Sequence, residues 1–156
     1  MATETSLKIR FELLWWVVTC LVLVAVLLPI YFSTNDYPFW QTNILFIILF
    51  ITLTRYIFFL KHTFFARKEY LKVILFFLCF PLLFYLAQEL NGFQTFLDER
   101  GAEAVIGKPS INGFENLIQF IRSEILLFGV GSIIAAIIFP FRLILSIWRA
   151  RNSNRV

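Results

Sequence analysis

The chain has 156 residues, of which 60% are hydrophobic and only 15% are charged, with a formal net charge of +4. A soluble domain usually has about 45–50% apolar and about 25% charged residues, so this composition excludes an ordinary soluble domain. The positive charge is explained by contact with anionic lipid headgroups, and nucleic acid need not be invoked as a partner.

Four blocks of apolar sequence are long enough to cross a membrane, because about 20 helical residues span roughly 30 Å of hydrocarbon. They cover residues 13–32, 39–60, 73–90 and 125–148. We therefore predict an all-α integral membrane protein in which residues 1–156 form one four-span domain. The first block is longer than the roughly 7–15 apolar residues of a signal peptide, and no small-residue cleavage site follows it.

The distribution of Lys and Arg predicts the orientation of these spans. Eleven of the fourteen basic residues lie at or near one side of the membrane: Lys8, Arg10, Arg55, Lys61, Arg67, Lys68, Lys72, Arg142, Arg149, Arg151 and Arg155. Only Arg100, Lys108 and Arg122 lie on the other side. The positive-inside rule then places both termini in the cytoplasm. The simple charge pattern and short loops favour a bacterial inner membrane, with anionic lipids at its cytoplasmic face.

The second span contains Arg55 five residues before its apolar run ends. Helical side chains lean toward the helix N-terminus, so Arg55 is directed away from the cytoplasmic boundary and into the bundle. Arg142 has a matching depth in the fourth span, and Glu12 at the start of the first span is the nearest acid by depth. We predict that these three residues form a cluster, which either holds the bundle together or binds an anionic lipid or substrate.

Residues 91–123 between the third and fourth spans are predicted to form an extracytoplasmic loop. Apolar residues recur there at positions i, i+3, i+4 and i+7, namely Phe114, Leu117, Ile118 and Ile121. This period predicts an amphipathic helix before the fourth span, lying on the outer membrane surface or on the bundle. Its apolar face is a candidate partner surface.

The fourth span has small residues four positions apart, Gly131 with Ala135 and Ser132 with Ala136. Small residues at this spacing let helix backbones approach closely in lipid. The pattern predicts a helix-packing face, and it leaves open whether the neighbouring helix belongs to this chain or to another.

The spans show no arrangement of residues that a catalytic, cofactor or metal site would need. His62 is the single histidine, and Cys20 and Cys79 lie in different spans without ligand spacing. Glu12, Glu89 and Glu124 lie at the span ends, where a carboxylate can remain hydrated.

We therefore expect a non-catalytic protein without cofactors or metals. It would be a structural or accessory subunit of a larger membrane complex, or a homo-oligomer, with other membrane proteins or further copies of itself as partners. The alternative is a small channel or transporter subunit, and a weaker one is a lipid-binding or lipid-modifying protein.

Overall fold

The computed structural model describes residues 2–34, 36–60, 63, 68–106 and 114–153. These residues form helices and connecting turns without a strand, and the helices are α1 (Ala2–Ser33), α2 (Trp40–Phe59), α3 (Glu69–Arg100), α4 (Ala102–Ile106) and α5 (Phe114–Ser153). Four of them, α1, α2, α3 and α5, are long and apolar enough to cross a membrane. The prediction of an all-helical chain with four such helices is confirmed, and it indicates a multi-pass membrane protein.

The helices extend further than the apolar blocks predicted. Helix α2 agrees with the predicted span 39–60 to within one residue at each end, whereas α3 continues to Arg100 and α5 already begins at Phe114. Much of the predicted loop 91–123 is therefore helical, and the amphipathic segment continues into the fourth span without a break. The difference arises because hydropathy marks where hydrocarbon can surround a helix, whereas backbone hydrogen bonds continue beyond it.

The chain leaves α3 through a turn that depends on Gly101. This residue has a φ of 77°, and its N–H donates to the carbonyl of Leu97 at 3.0 Å. A left-handed residue after the last helical turn is usually glycine, since other side chains are strained there. The turn leads into α4, whose Val105 and Ile106 are buried.

The core is formed mainly by α2, α3 and α5. Phe46 of α2, Leu86 of α3 and Leu143 of α5 are fully buried. Helix α1 contributes less, since only 11% of its most apolar stretch is buried, and Leu21 and Phe32 point outward. In a bilayer, lipid tails cover such side chains.

The predicted packing face of the fourth span lies inside the chain. Ser132, Ala135 and Ala136 are buried, and a Cβ atom at Gly131 would lie 2.7 Å from the ring of Phe50 on α2. The small residues of α5 therefore allow close contact with this chain's own helices.

Candidate functional site

Arg55 and Glu12 lie together at the C-terminal end of α2. The Arg55 Nη2 group donates to the Glu12 Oε2 atom in an ion pair, and the two side chains are 4% and 18% exposed. Glu12 belongs to α1 and Arg55 to α2. The pair therefore ties α1 to the rest of the bundle.

Arg142, the third member of the predicted cluster, contacts the same end of α2 without bonding to Glu12. Its Nε group donates to the backbone carbonyl of Ile57 at 2.8 Å. This bond links α5 to α2 two residues beyond Arg55. The structure therefore pairs two of the three predicted residues directly and places the third beside them.

Lys72 also belongs to this end of the bundle, which the sequence interpretation missed. Its position in the sequence predicts a charge that flanks the membrane, but Lys72 is only 1% exposed, and its Nζ group donates to the Ser146 hydroxyl of α5 at 3.0 Å. In the structure Lys72 continues a seven-residue repeat of buried positions, Cys79, Leu86 and Phe93, which the apolar residues on the other faces of α3 hide in the sequence. Such a repeat keeps residues on one helix face.

A second polar cluster, the Glu124 cluster, consists of Tyr37, Asn43 and Glu124 near the start of α2. The Asn43 Nδ2 group donates to Glu124 Oε1 and also lies 3.4 Å from the Tyr37 hydroxyl. Burial raises the pKa of Tyr37, and the Glu124 carboxylate adds to the rise, so the phenol stays protonated at neutral pH.

The expectation that Glu124 stays hydrated is wrong, because this residue is only 5% exposed. Helix α5 begins ten residues earlier at Phe114, so Glu124 lies within the packed part of the helix and not at its end. Glu89 is half-buried, and it accepts a hydrogen bond of 2.7 Å from the Thr42 hydroxyl. This bond ties α2 to α3.

Several buried polar atoms in the described part of the chain have no hydrogen-bond partner. They are Trp15 Nε1, Arg55 Nε and Glu12 Oε1 at one end, and Asn43 Oδ1 and Glu124 Oε2 at the other. A buried polar atom without a partner costs about 1–3 kcal/mol. The described residues therefore leave these groups incompletely satisfied.

The two polar ends are separated by an apolar middle. Asn43 and Arg55 are twelve residues apart on α2, about 18 Å at 1.5 Å per residue. Between them Phe50 packs against Phe128, with ring centroids 5.7 Å apart. The Ser132 hydroxyl donates to the Gly129 carbonyl of its own helix, so in the described core it does not bridge toward either end.

The predicted partner surface at the start of α5 is partly covered by the chain itself. Ile121 is fully buried, and Leu117 and Ile118 pack against the core, while the Phe114 side chain lies outside the described part. The spacing of these residues fits a helix face that packs against a core. In sequence, such a face looks the same as one that lies on a membrane surface or against a partner. This face therefore contributes to the bundle's own core through Ile121, while Leu117 and Ile118 stay partly exposed.

The described residues contain no group of three or more His, Cys, Asp or Glu side chains that could hold a metal ion. His62 lies outside the described residues. Cys20 is exposed on α1 and Cys79 is buried on α3. The described residues of the two polar ends make an ion pair and hydrogen bonds.

Comparison with protein-family models, with curated proteins and with solved structures finds no match for this chain. No residue role can therefore be transferred from a relative. The contacts between the helices carry the functional interpretation.

Proposed function

We propose that this is a non-catalytic membrane protein with a structural role, either an accessory subunit of a larger membrane complex or a homo-oligomer. One observation supports this most. Each buried ionisable side chain in the described part, namely Arg55, Lys72 and Glu124, contacts a side chain on a different helix. Buried polar groups used in this way fix how helices are placed against one another.

The competing proposal is a small channel or transporter subunit. Ion and proton paths are usually marked by ionisable side chains through the membrane interior. In the described core, Phe46, Phe50 and Phe128 fill the space between the two polar ends. A path within one chain is disfavoured by this apolar layer, so transport would require a pore formed between several chains.

The mass of the particle in mild detergent tests the structural proposal. We expect the chain, which alone is 18.4 kDa, to be purified from its native membrane as a multiple of this mass or with other proteins in fixed ratio. Light scattering with the detergent contribution subtracted, followed by mass spectrometry of the components, measures both. A lone chain that moves a solute across liposome membranes would contradict the proposal and favour the transporter.

The orientation belongs to the same proposal: both termini are cytoplasmic in a bacterial inner membrane, and the end of α3 is outside. The supporting observation is the charge pattern. Arg149 and Arg151 are exposed at the C-terminal end of α5, whereas Asp98 and Glu99 are exposed at the C-terminal end of α3. The Lys72–Ser146 contact places the start of α3 near the end of α5, so these two exposed groups lie at opposite ends of the bundle.

Single cysteines in a background with Cys20 and Cys79 replaced by alanine check this orientation. In intact cells, a membrane-impermeant maleimide is expected to label the Asp98→Cys variant and not the Arg149→Cys variant. Permeabilised cells are the control, in which both exposed positions should react. The reverse pattern in intact cells would show that the termini lie outside.

A further inference from the structure

Glu124 of α5 is buried against α2 without a cation beside it. It is 5% exposed, and its hydrogen-bond partner Asn43 is fully buried. Among the described residues no ion pair includes Glu124, and Arg122, the nearest cation along α5, is exposed. An isolated carboxylate out of water is so unfavourable that the group usually becomes neutral instead. The charge of Glu124 therefore depends on the hydrogen bonds that its surroundings offer.

The Asn43 amide supplies one hydrogen bond to this carboxyl group. Its Nδ2 atom carries two hydrogens; this atom donates to Glu124 Oε1 and lies 3.4 Å from the Tyr37 hydroxyl. Two buried oxygens then remain without a partner, Glu124 Oε2 and Asn43 Oδ1. Both are acceptors when Glu124 is ionised, so neither can bond to the other. An ionised Glu124 therefore leaves two buried acceptors and no donor for them.

The other polar groups at this end of the bundle do not supply the missing donor. The Tyr37 hydroxyl contacts Asn43, and no hydrogen bond joins it to Glu124 in the described structure. The Thr42 hydroxyl donates to Glu89 of α3. Tyr37 and Glu89 are the titratable groups that the neighbouring segments place here, and neither carries a positive charge. Burial, the larger cause of the raised pKa of Tyr37, keeps its phenol protonated when Glu124 is neutral.

A proton on Glu124 Oε2 satisfies both of these oxygens at once. A neutral carboxyl group has one O–H donor besides its carbonyl oxygen. The O–H group donates to Asn43 Oδ1, while Asn43 Nδ2 continues to donate to Glu124 Oε1. The amide and the acid then form two parallel hydrogen bonds, and neither side chain keeps a buried oxygen without a partner.

From these contacts we infer that Glu124 is a proton-binding site, held as a neutral carboxylic acid at neutral pH with its proton donated to Asn43. The contact that joins α2 to α5 at this end then depends on pH, because loss of the proton leaves a buried charge and breaks one of the two bonds. This inference goes beyond the proposed structural role, since the proton is bound whether or not the chain assembles with other proteins.

Infrared spectroscopy of the full chain in mild detergent at neutral pH tests the inference, because a protonated carboxyl group has a C=O stretching band that carboxylates lack. We expect this band in the wild type and its loss in Glu124→Gln, whose amide preserves the size of the side chain and its pairing with Asn43. The matched control is Glu89→Gln, the same substitution at a half-buried acid, which should keep the band. Asn43→Ala removes the N–H donor and should shift the band to higher wavenumber. A wild type without the band, a band that Glu124→Gln leaves unchanged, or an unshifted band in Asn43→Ala would overturn the inference.

The pH dependence of stability gives an independent test. The folded chain keeps the proton, whereas glutamic acid in the unfolded chain releases it above its ordinary pKa of about 4.3, so a rise in pH favours the unfolded state. Relative to Glu124→Gln, the wild-type ratio of folded to unfolded protein should fall by up to about tenfold per pH unit between about pH 5 and 7. Denaturant unfolding in mild detergent, followed by circular dichroism at each pH, measures this ratio. A relative ratio that stays constant or rises with pH would overturn the inference.

Discussion

Replacing Arg55 by leucine is expected to lower the free energy of unfolding by about 3–5 kcal/mol, the cost of leaving one partner of a buried ion pair alone. Glu12 would lose its only described cation, and α1 would lose its polar tie to α2. The loss is measured by titrating the protein in mild detergent with a denaturing detergent and following helix content by circular dichroism.

The matched control for this variant is Arg149→Leu. Arg149 is exposed on the same side of the bundle, and surface substitutions usually change stability by less than about 0.5 kcal/mol. If Arg55→Leu were as stable as Arg149→Leu, the buried ion pair would have no structural role.

Replacing Gly131 by alanine is expected to lower the free energy of unfolding by about 1–3 kcal/mol, the usual cost of overpacking a core. The added carbon would lie 2.7 Å from the Phe50 ring, and this ring is itself packed against Phe128. Relief therefore requires the Phe50 ring to shift against Phe128, or α2 and α5 to move apart. The same denaturation measurement shows the effect.

Gly92→Ala is the matched control, since it is the same substitution in another long helix. A carbon added at Gly92 meets no atom within 4 Å, and alanine is favoured over glycine in a helix by up to about 1 kcal/mol. This variant should be as stable as the wild type or slightly more stable. If both glycine variants gained stability equally, close packing at Gly131 would be refuted.

The sequence predicted the helical architecture well because lipid allows few alternatives. Backbone groups in hydrocarbon must bond within their own segment, so a long apolar run in this chain can hardly be anything but a helix. The helix ends were predicted less well. Glu69 and Arg100 extend α3 beyond the apolar run at both ends, where charged residues are compatible with a helix that continues into water.

The Arg55–Glu12 contact could be anticipated from depth alone, because few charges lie near that level of the membrane. The Asn43–Glu124 and Lys72–Ser146 contacts could not be anticipated from the sequence. Apolar residues surround each span on all sides, so the sequence period does not show which side faces the core and which faces lipid. Only the rotation of each helix in the folded chain places these polar groups opposite one another.

The same ambiguity applies to the face of Leu117, Ile118 and Ile121. A stripe of apolar residues on a helix predicts that something covers it, without identifying the cover. In this protein the cover is the bundle itself. The surface predicted to bind a partner thus also packs partly against the core.

The central claim is that buried charges hold the helices together, and a double-mutant cycle at Arg55 and Glu12 tests it most directly. The free energy of unfolding is measured for the wild type, Arg55→Leu, Glu12→Leu and the double variant. Our account predicts that the double variant loses less stability than the two single losses combined, with a coupling energy of at least about 1 kcal/mol. Losses that add to within about 0.5 kcal/mol would contradict it.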